Sequence, residues 1–407
     1  NLRGQLNFFH TFHKRHYLSA LLGTEIRGQY AKGIFAKRYG YDRVSGNTSM
    51  PTFPAGTKVT EADLKRYAAI IDALSGQNIS EDRFASFYLS LDYVLNNRYV
   101  ASFTARTDGS NNFGSKEQFN PTGSLGLSWN VDQEEFMKPL KPVISSLSIR
   151  TAMGYTGNIN KTVYPQLVMD YYSRFRQSDD DYYRMGWIKN APNPLLRWEK
   201  TRDMKLSLDL GMFNERLRLG AEFYSRRTYD AVSSVRVPYT TGFSDQVFNT
   251  STLENMGMEF SLSAKVLKTK DWSASLSTNI SYNRNKLVKY TPPTSGLANG
   301  QYQGYPLGSI FGGRITGIDE QTGLYTFQRR PDAVFNTVND YRNANNYLYY
   351  LGTSNAPTTG GYSINVSYKD FSLNLGGSFS LGGKILNDIT PYTSYSDISG
   401  QKLETVP

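Results

Sequence analysis

The stretch Gly257-Met-Glu-Phe-Ser-Leu-Ser-Ala-Lys-Val266 alternates polar and apolar residues without a break. Successive side chains of a β-strand point to opposite faces, so this spacing predicts a strand with one polar and one apolar face. A short turn over 267–271 follows, and the same alternation resumes from Trp272 to Tyr282. The two stretches therefore predict an antiparallel hairpin with one wet side and one apolar side.

The same alternation recurs in about twelve segments between residues 1 and 384. Short turns follow the odd-numbered segments, and long segments follow the even-numbered ones: 29–82, with a short helix predicted over Thr60–Ser75, 108–121, 157–200, 231–253 and 288–360. In an antiparallel sheet this order places every long loop at one rim. Strands of about ten residues with this sorting of connections are typical of an outer-membrane β-barrel, whose long loops are extracellular. We therefore predict an all-β, transmembrane antiparallel β-barrel.

Composition narrows the alternatives. The chain has 30 Tyr among 407 residues, which suits aromatic girdles and ligand-stacking loops, and it has no Cys for disulfides or thiolate sites. No run of 18 apolar residues exists, which excludes a helical membrane bundle. The net charge is +10, but Lys and Arg are scattered, so we expect no nucleic-acid partner. A basic outer rim would instead meet phosphates of outer-membrane lipid or lipopolysaccharide. Composition alone fits a soluble all-β protein equally well.

Charged residues recur on the predicted polar faces. A Lys or Arg facing lipid at the midplane costs about 2–4 kcal/mol, so such residues belong in a hydrated or plugged lumen. The predicted lumen-facing residues are Arg150, Lys205, Asp209, Arg218, Glu222, Glu259 and Lys265. They favour a wide barrel over a small one filled with apolar side chains.

An ordered series of motifs resembles a known family. The motifs are Arg106-Thr-Asp-Gly-Ser-Asn-Asn-Phe-Gly114, Gly126-Leu-Ser-Trp-Asn130, Glu135-Phe-Met137, Gly154-Tyr-Thr-Gly-Asn158, Asn193-Pro-Leu-Leu-Arg-Trp-Glu-Lys-Thr201, Asn255-Met-Gly-Met-Glu259 and Gly304-Tyr-Pro-Leu-Gly308. Together they resemble SusC/RagA-type TonB-dependent outer-membrane transporters of Bacteroidetes over roughly residues 80–390.

The resemblance implies a barrel of about 22 strands around a plug. We expect residues 1–384 to form part of that barrel, 385–407 to begin a further extracellular loop, and the plug to lie outside this chain. The resemblance also implies active import of oligosaccharides or peptides, energy from the TonB complex through the plug region, and a SusD-like lipoprotein lid.

Loop aromatics are the predicted contacts for substrate or partner, because flat rings with polar tips suit both sugars and protein interfaces. They are Tyr171, Tyr172, Tyr182, Tyr183, Trp187, Tyr302, Tyr305, Tyr341, Tyr347, Tyr349 and Tyr350. Contact with a partner, or packing of the loops against themselves, is favoured over direct contact with substrate.

The sequence gives little indication of a catalytic site or a metal site. No persuasive Ser/His/Asp set or other convergent catalytic group is present, so we expect no enzyme, and we predict no resident metal or cofactor. Asp108, Ser110 and Asn112 alternate as in the start of a calcium loop, but Phe113 replaces the required Gly and Phe119 the final Glu. An Asx-rich turn competes with a loop calcium site there.

Two other functions remain open. The barrel could be a structural or docking subunit of an outer-membrane assembly, closed to transport. It could also be an open porin that conducts without TonB.

Overall fold

The computed structural model describes residues 1–36, 41–47, 56–63, 75–158, 163–175, 182–291, 301–321, 323–333 and 343–385. The strands are β1 (Leu2–Phe12), β2 (His16–Ala36), β3 (Ser75–Leu95), β4 (Tyr99–Ser110), β5 (Phe119–Asn130), β6 (Ile144–Asn158), β7 (Val168–Phe175), β8 (Tyr182–Asn190), β9 (Glu199–Met212), β10 (Leu217–Arg236), β11 (Asp245–Lys268), β12 (Trp272–Lys289), β13 (Ser309–Gly313), β14 (Ile315–Ile318), β15 (Tyr325–Phe327), β16 (Leu348–Thr353), β17 (Thr358–Tyr368) and β18 (Phe371–Leu381). Short 3-10 helices lie at Val131–Gln133, Glu135–Leu140, Tyr239–Thr241 and Ala344–Asn346. Within the described ranges, no helix is both long and apolar enough to cross a membrane.

Twelve strands form one antiparallel sheet, which confirms the number predicted from the alternation. Their order is β1-β2-β3-β4-β5-β6-β9-β10-β11-β12-β17-β18, so the sequence neighbours pair except where insertions separate β6 from β9 and β12 from β17. The connection from β3 to β4 is a tight turn, in which Asn96 and Asn97 have φ angles of 53° and 56° that suit a hairpin of the right twist. Short connections thus lie at one end of the sheet and long ones at the other.

The predicted limits of the long loops are wrong in several places. The sheet takes residues from both ends of 29–82, because β2 runs to Ala36 and β3 begins at Ser75. Residues 231–253 are mostly strand, since β10 runs to Arg236 and β11 begins at Asp245. The loop predicted over 108–121 shortens in the same way. Strand ends that extend beyond the apolar layer of a membrane have water on both faces, so their residues need not alternate between polar and apolar. The alternation of the sequence therefore could not reveal these ends.

The remaining long segments carry structure of their own. The segment predicted as a loop over 157–200 contains the hairpin β7–β8, and 288–360 contains the pairs β13–β16 and β14–β15. Of the helix predicted over Thr60–Ser75, residues 61–63 are helical, 64–74 lie outside the described residues, and Ser75 belongs to β3. A reciprocal pair of hydrogen bonds caps its start, because Asp63 N–H donates to Thr60 Oγ1 (3.2 Å) and Thr60 N–H donates to Asp63 Oδ2 (3.1 Å). Of the predicted terminal loop 385–407, only residue 385 is described.

The strand register gives the sheet one polar and one apolar face. A row of directly paired residues on the polar face reads Ser128, Arg150, Ser207, Glu222, Glu259 and Ser281. The adjacent row on the other face reads Trp129, Ile149, Leu208, Ala221, Phe260 and Ile280. Because a slip of one residue would exchange the faces, this register is strongly specified by the hydrophobic pattern.

Candidate functional site

All seven residues predicted to face a lumen lie on the polar face of the sheet. Lys205 Nζ lies 2.9 Å from Glu222 Oε1 across β9 and β10, and Arg150 pairs with Asp209 across β6 and β9. Glu259 lies directly opposite Glu222 on β11. Lys205 and Arg150 are therefore neutralised by carboxylates in cross-strand pairs, whereas Glu259 faces a second carboxylate. We call this polar face the charged wall.

The charged wall is concave. A hollow of about 720 Å³ lies against it and is lined by residues from β6, β9, β10, β11, β12, β17 and β18. The polar side chains that line it include Ser146, Asp209, Arg218, Ser261, Asn279 and Ser363. A single hollow can touch seven neighbouring strands only if the sheet curves around it. The wall thus presents hydroxyl, amide and charged groups to the space on its concave side.

Aromatic rings mark the short-turn end of the apolar face. Tyr99 and Trp129 stack with ring centroids 6.5 Å apart, and Trp272 lies 4.4 Å from Tyr368. The Tyr99 hydroxyl and the Trp129 indole both donate to Glu134 Oε1, at 2.6 and 3.1 Å. These two donors, the Tyr99 hydroxyl first, hold the pKa of the Glu134 carboxyl below its usual range. Tyr and Trp rings at the end of an apolar face are typical of the aromatic girdle of a membrane barrel.

The structure brings together three of the predicted loop tyrosines. The ring of Tyr305 lies 5.9 Å from Tyr302 and 5.1 Å from Tyr350, and Phe311, which the sequence reasoning missed, lies 5.2 Å from Tyr305. Burial raises the pKa of the Tyr350 hydroxyl. We call these four rings the aromatic cluster. Tyr302 and Tyr350 keep 41% and 38% of their surface exposed, so the cluster packs on itself and still offers ring faces to solvent.

The other predicted aromatics have different surroundings. The Tyr349 hydroxyl donates to the Arg329 carbonyl (2.7 Å), and its ring carries the Arg314 guanidinium at 4.5 Å. Tyr347 is half-buried. Tyr341 lies outside the described residues. The backbones of the remaining five belong to the hairpin β7–β8, and their side chains lie outside what the structure describes: Tyr171, Tyr172, Tyr182, Tyr183 and Trp187.

The family-like motifs of two different loops pack against each other. The rings of Phe113 and Trp198 stack with centroids 4.6 Å apart, and both side chains are buried. Gly114 N–H donates to the Leu196 carbonyl (3.0 Å), and a Cβ on Gly114 would lie 1.9 Å from the Pro194 oxygen. We call these five residues the loop-base cluster. Its role is architectural, since it joins the base of the loop after β4 to the segment that enters β9.

A second set of polar contacts joins the same segment to β10 and β11. Arg197 pairs with Asp230 (2.7 Å), which raises the pKa of the Arg197 guanidinium. Asn249 Nδ2 donates to the carbonyls of Arg197 (2.8 Å) and Asp230 (2.7 Å). Sequence reasoning missed these residues, although Arg197 lies within a quoted motif.

The geometry of the predicted calcium loop is that of a side-chain network. Asp108 accepts hydrogen bonds from Ser86 Oγ (2.5 Å) and Arg106 Nε (2.7 Å), while Asn112 Nδ2 donates to Asp82 (2.8 Å). No group of three or more potential metal ligands occurs among the described residues. The predicted absence of a resident metal and the alternative of a loop calcium site both stay predictions.

Comparison with known proteins identifies the family. The family model described as TonB dependent receptor-like, beta-barrel matches residues 1–387. The chain belongs to this family. The predicted fold class and the resemblance to SusC-like transporters are thereby confirmed.

Curated relatives extend the match. The TonB-dependent receptor SusC of Bacteroides thetaiotaomicron is 38% identical over 218 residues, which cover 52% of this chain and 21% of that protein. The TonB-dependent receptor P3 of Formosa agariphila is 28% identical over 334 residues, which cover 76% of this chain and 33% of that protein. The chain thus spans between about a fifth and a third of the length of these relatives.

A solved structure shares the fold. The RagAB peptide transporter superimposes with a TM-score of 0.74 at 24% identity, covering 93% of this chain and 41% of that chain. At this identity the likeness shows the architecture of the twelve-stranded sheet.

Proposed function

We propose that the protein imports an oligosaccharide or a peptide across the outer membrane by TonB-dependent transport. The observation that carries the proposal is the concave charged wall, because a wall of paired charges suits a hydrated passage or a polar plug and is costly against lipid. Two similar proteins support this proposal, since one is a TonB-dependent receptor and the other is a peptide transporter.

The long loops are then extracellular, and a SusD-like lipoprotein closes over them. The aromatic cluster is suited to grip such a partner or the ligand, because Tyr rings bury area at low entropic cost and keep a hydroxyl for hydrogen bonds. The protein would make and break no covalent bonds. Its work would be capture at the loops, passage along the charged wall, and energy supplied through TonB.

Uptake by cells provides the test. A strain lacking the full-length protein is complemented with wild type, Tyr305→Ala or the control Tyr41→Ala, whose ring lies in the segment 41–47 and is 64% exposed. Uptake of fluorescent oligosaccharide and peptide libraries is measured with and without a protonophore. We expect protonophore-sensitive uptake of one library, restored by wild type and by Tyr41→Ala and reduced in Tyr305→Ala.

Other outcomes contradict the proposal in distinguishable ways. Uptake of neither library, with a surface partner still co-purifying, would indicate a docking subunit. Conductance of the purified protein in a planar bilayer without TonB would indicate a porin. Co-purification of a lipoprotein in mild detergent tests the lid, and its absence would remove that part of the proposal.

A further inference from the structure

Cationic side chains interrupt the apolar face near its long-loop end. The paired row Leu206, Phe223 and Met258 is apolar. Further toward the long loops, the paired row on the same face reads Tyr155, Arg202, Arg227, Glu254 and Lys286. The face that meets lipid thus changes from apolar to basic within a short distance.

Arg202 and Arg227 lie directly opposite each other on β9 and β10. Like charges in this position destabilise a strand pair unless an anion compensates them. The nearest carboxylate, Glu254, lies 3.6 Å from Arg227 NH1 and itself faces Lys286. The Nε atoms of both arginines are buried and have no hydrogen-bond acceptor among the described residues. We call Arg202 and Arg227 the arginine pair.

The charged wall behaves differently. There Arg226, which neighbours Arg227 in sequence but points to the opposite face, lies 2.7 Å from Asp203. Lys205 likewise has Glu222 at 2.9 Å. The arginine pair therefore differs from the cations of the wall, because its one ion pair among the described residues joins Arg227 to Glu254 at 3.6 Å and leaves Arg202 without a carboxylate.

The height of the arginine pair matches a membrane boundary. Ten residues separate Arg202 from Met212, the last residue of β9 before the short turn. At roughly 3.3 Å per residue and a strand tilt of about 40°, the pair lies about 25 Å above that turn. The apolar band of an outer-membrane barrel is about 25 Å tall, so the pair lies where lipid headgroups begin.

We propose that the arginine pair binds the phosphate of an outer-leaflet lipid. Guanidinium groups bind phosphate oxygens through paired, charge-assisted hydrogen bonds, and a phosphate between Arg202 and Arg227 would supply their missing counter-charge. Lys200, Lys286 and Arg284 on the same face add positive potential around it. The assignment to the outer leaflet rests on the orientation given under the proposed function, with the long loops outside.

Native mass spectrometry of the intact purified protein tests this site. The probes are phosphorylated lipid A, dephosphorylated lipid A with the same acyl chains, and inorganic phosphate. We expect tight binding of the phosphorylated lipid, weakened on the order of fivefold in R202Q or R227Q and on the order of twentyfold in the double variant. R202K keeps the charge without the planar fork and should show an intermediate loss.

The matched control is the double variant K268Q/K270Q, which removes two exposed positive charges at the short-turn end. It should bind the phosphorylated lipid like wild type. Heat-modifiable migration on gels confirms that every variant is folded. Equal binding by wild type and R202Q/R227Q, or equal binding of the two lipids, would overturn the proposal. Displacement of the lipid by millimolar inorganic phosphate would overturn the assignment to a lipid. Because binding is measured on purified protein, a failure here leaves the uptake result untouched.

Discussion

Trp198 lies flat against Phe113, and the two rings join the bases of two different long loops at a centroid distance of 4.6 Å. Both side chains are buried. The most distinctive motifs of the sequence therefore serve to hold loops in place. This relationship gives the first prediction.

Replacing Trp198 with Ala should destabilise the folded protein by about 3–5 kcal/mol, because a large buried ring leaves a cavity against Phe113. The free energy of unfolding is measured in urea by circular dichroism. The control is Phe136→Ala, since Phe136 is 61% exposed in a short turn and its loss should cost less than about 0.5 kcal/mol. Equal stability of the two variants would contradict the packing role of Trp198.

Gly114→Ala should also destabilise the protein, because the new Cβ would lie 1.9 Å from the Pro194 carbonyl oxygen. The two loops must separate to admit it, which exposes the segment around Leu196. Limited proteolysis should cut Gly114→Ala faster than wild type. Gly28→Ala is the control, since a Cβ at Gly28 meets nothing within 4 Å. If both variants resist protease equally, the close approach of the loops is not tight in solution.

The neighbours Leu208 and Asp209 should report opposite environments. The chain has no cysteine, so single cysteines placed at these positions can carry a nitroxide spin label. In lipid bilayers we expect the label at 208 to be accessible to oxygen, which concentrates in lipid, and the label at 209 to be shielded from it. Asp209 lies on the charged wall and Leu208 on the apolar face. Equal oxygen accessibility at the two positions would show that the faces are wrongly assigned.

Lowering the pH should reduce the stability of the folded protein through protonation of Glu134, which lies at the short-turn end of the sheet. Its folded-state pKa is lowered, so its ionised form stabilises the fold at pH values above the ordinary glutamate pKa of about 4.3. That stabilisation is lost as the pH falls through the lower pKa of the folded state. Thermal midpoints measured between pH 3 and pH 7 should fall less steeply in Glu134→Gln than in wild type. Tyr99→Phe removes the main donor and should show an intermediate slope, whereas identical slopes would exclude this role for Glu134.

The alternation along the chain predicted the sheet well where lipid imposes it. One face of the sheet must be apolar from Leu217 to Phe223 and from Met258 to Val266. The alternation in the sequence therefore predicts the same two faces that the strand register shows. Beyond the apolar layer that constraint ends, and the extension of β2 to Ala36 was missed. The hairpin β7–β8 was missed for the same reason, although residues 168–175 are rich in strand-favouring Val, Tyr and Phe.

The candidate site was predictable in part. The alternation of polar and apolar residues correctly predicted that Arg150, Lys205 and Glu222 lie on one face. It did not predict which residues form ion pairs with them. The aromatic cluster needed the fold, because Phe311 and Tyr350 meet Tyr305 only when β13 pairs with β16. Spacing along the chain carries no signal for such contacts between loop residues.

The loop-base cluster also bears on how such proteins diversify. Stacking of Phe113 on Trp198 fixes the two loops relative to each other near the points where they leave the sheet. Surface loops tolerate insertion and substitution far better than the elements that carry them. Loop tips grafted from relatives should therefore be accepted on one preserved frame, provided that Phe113 and Trp198 are both retained.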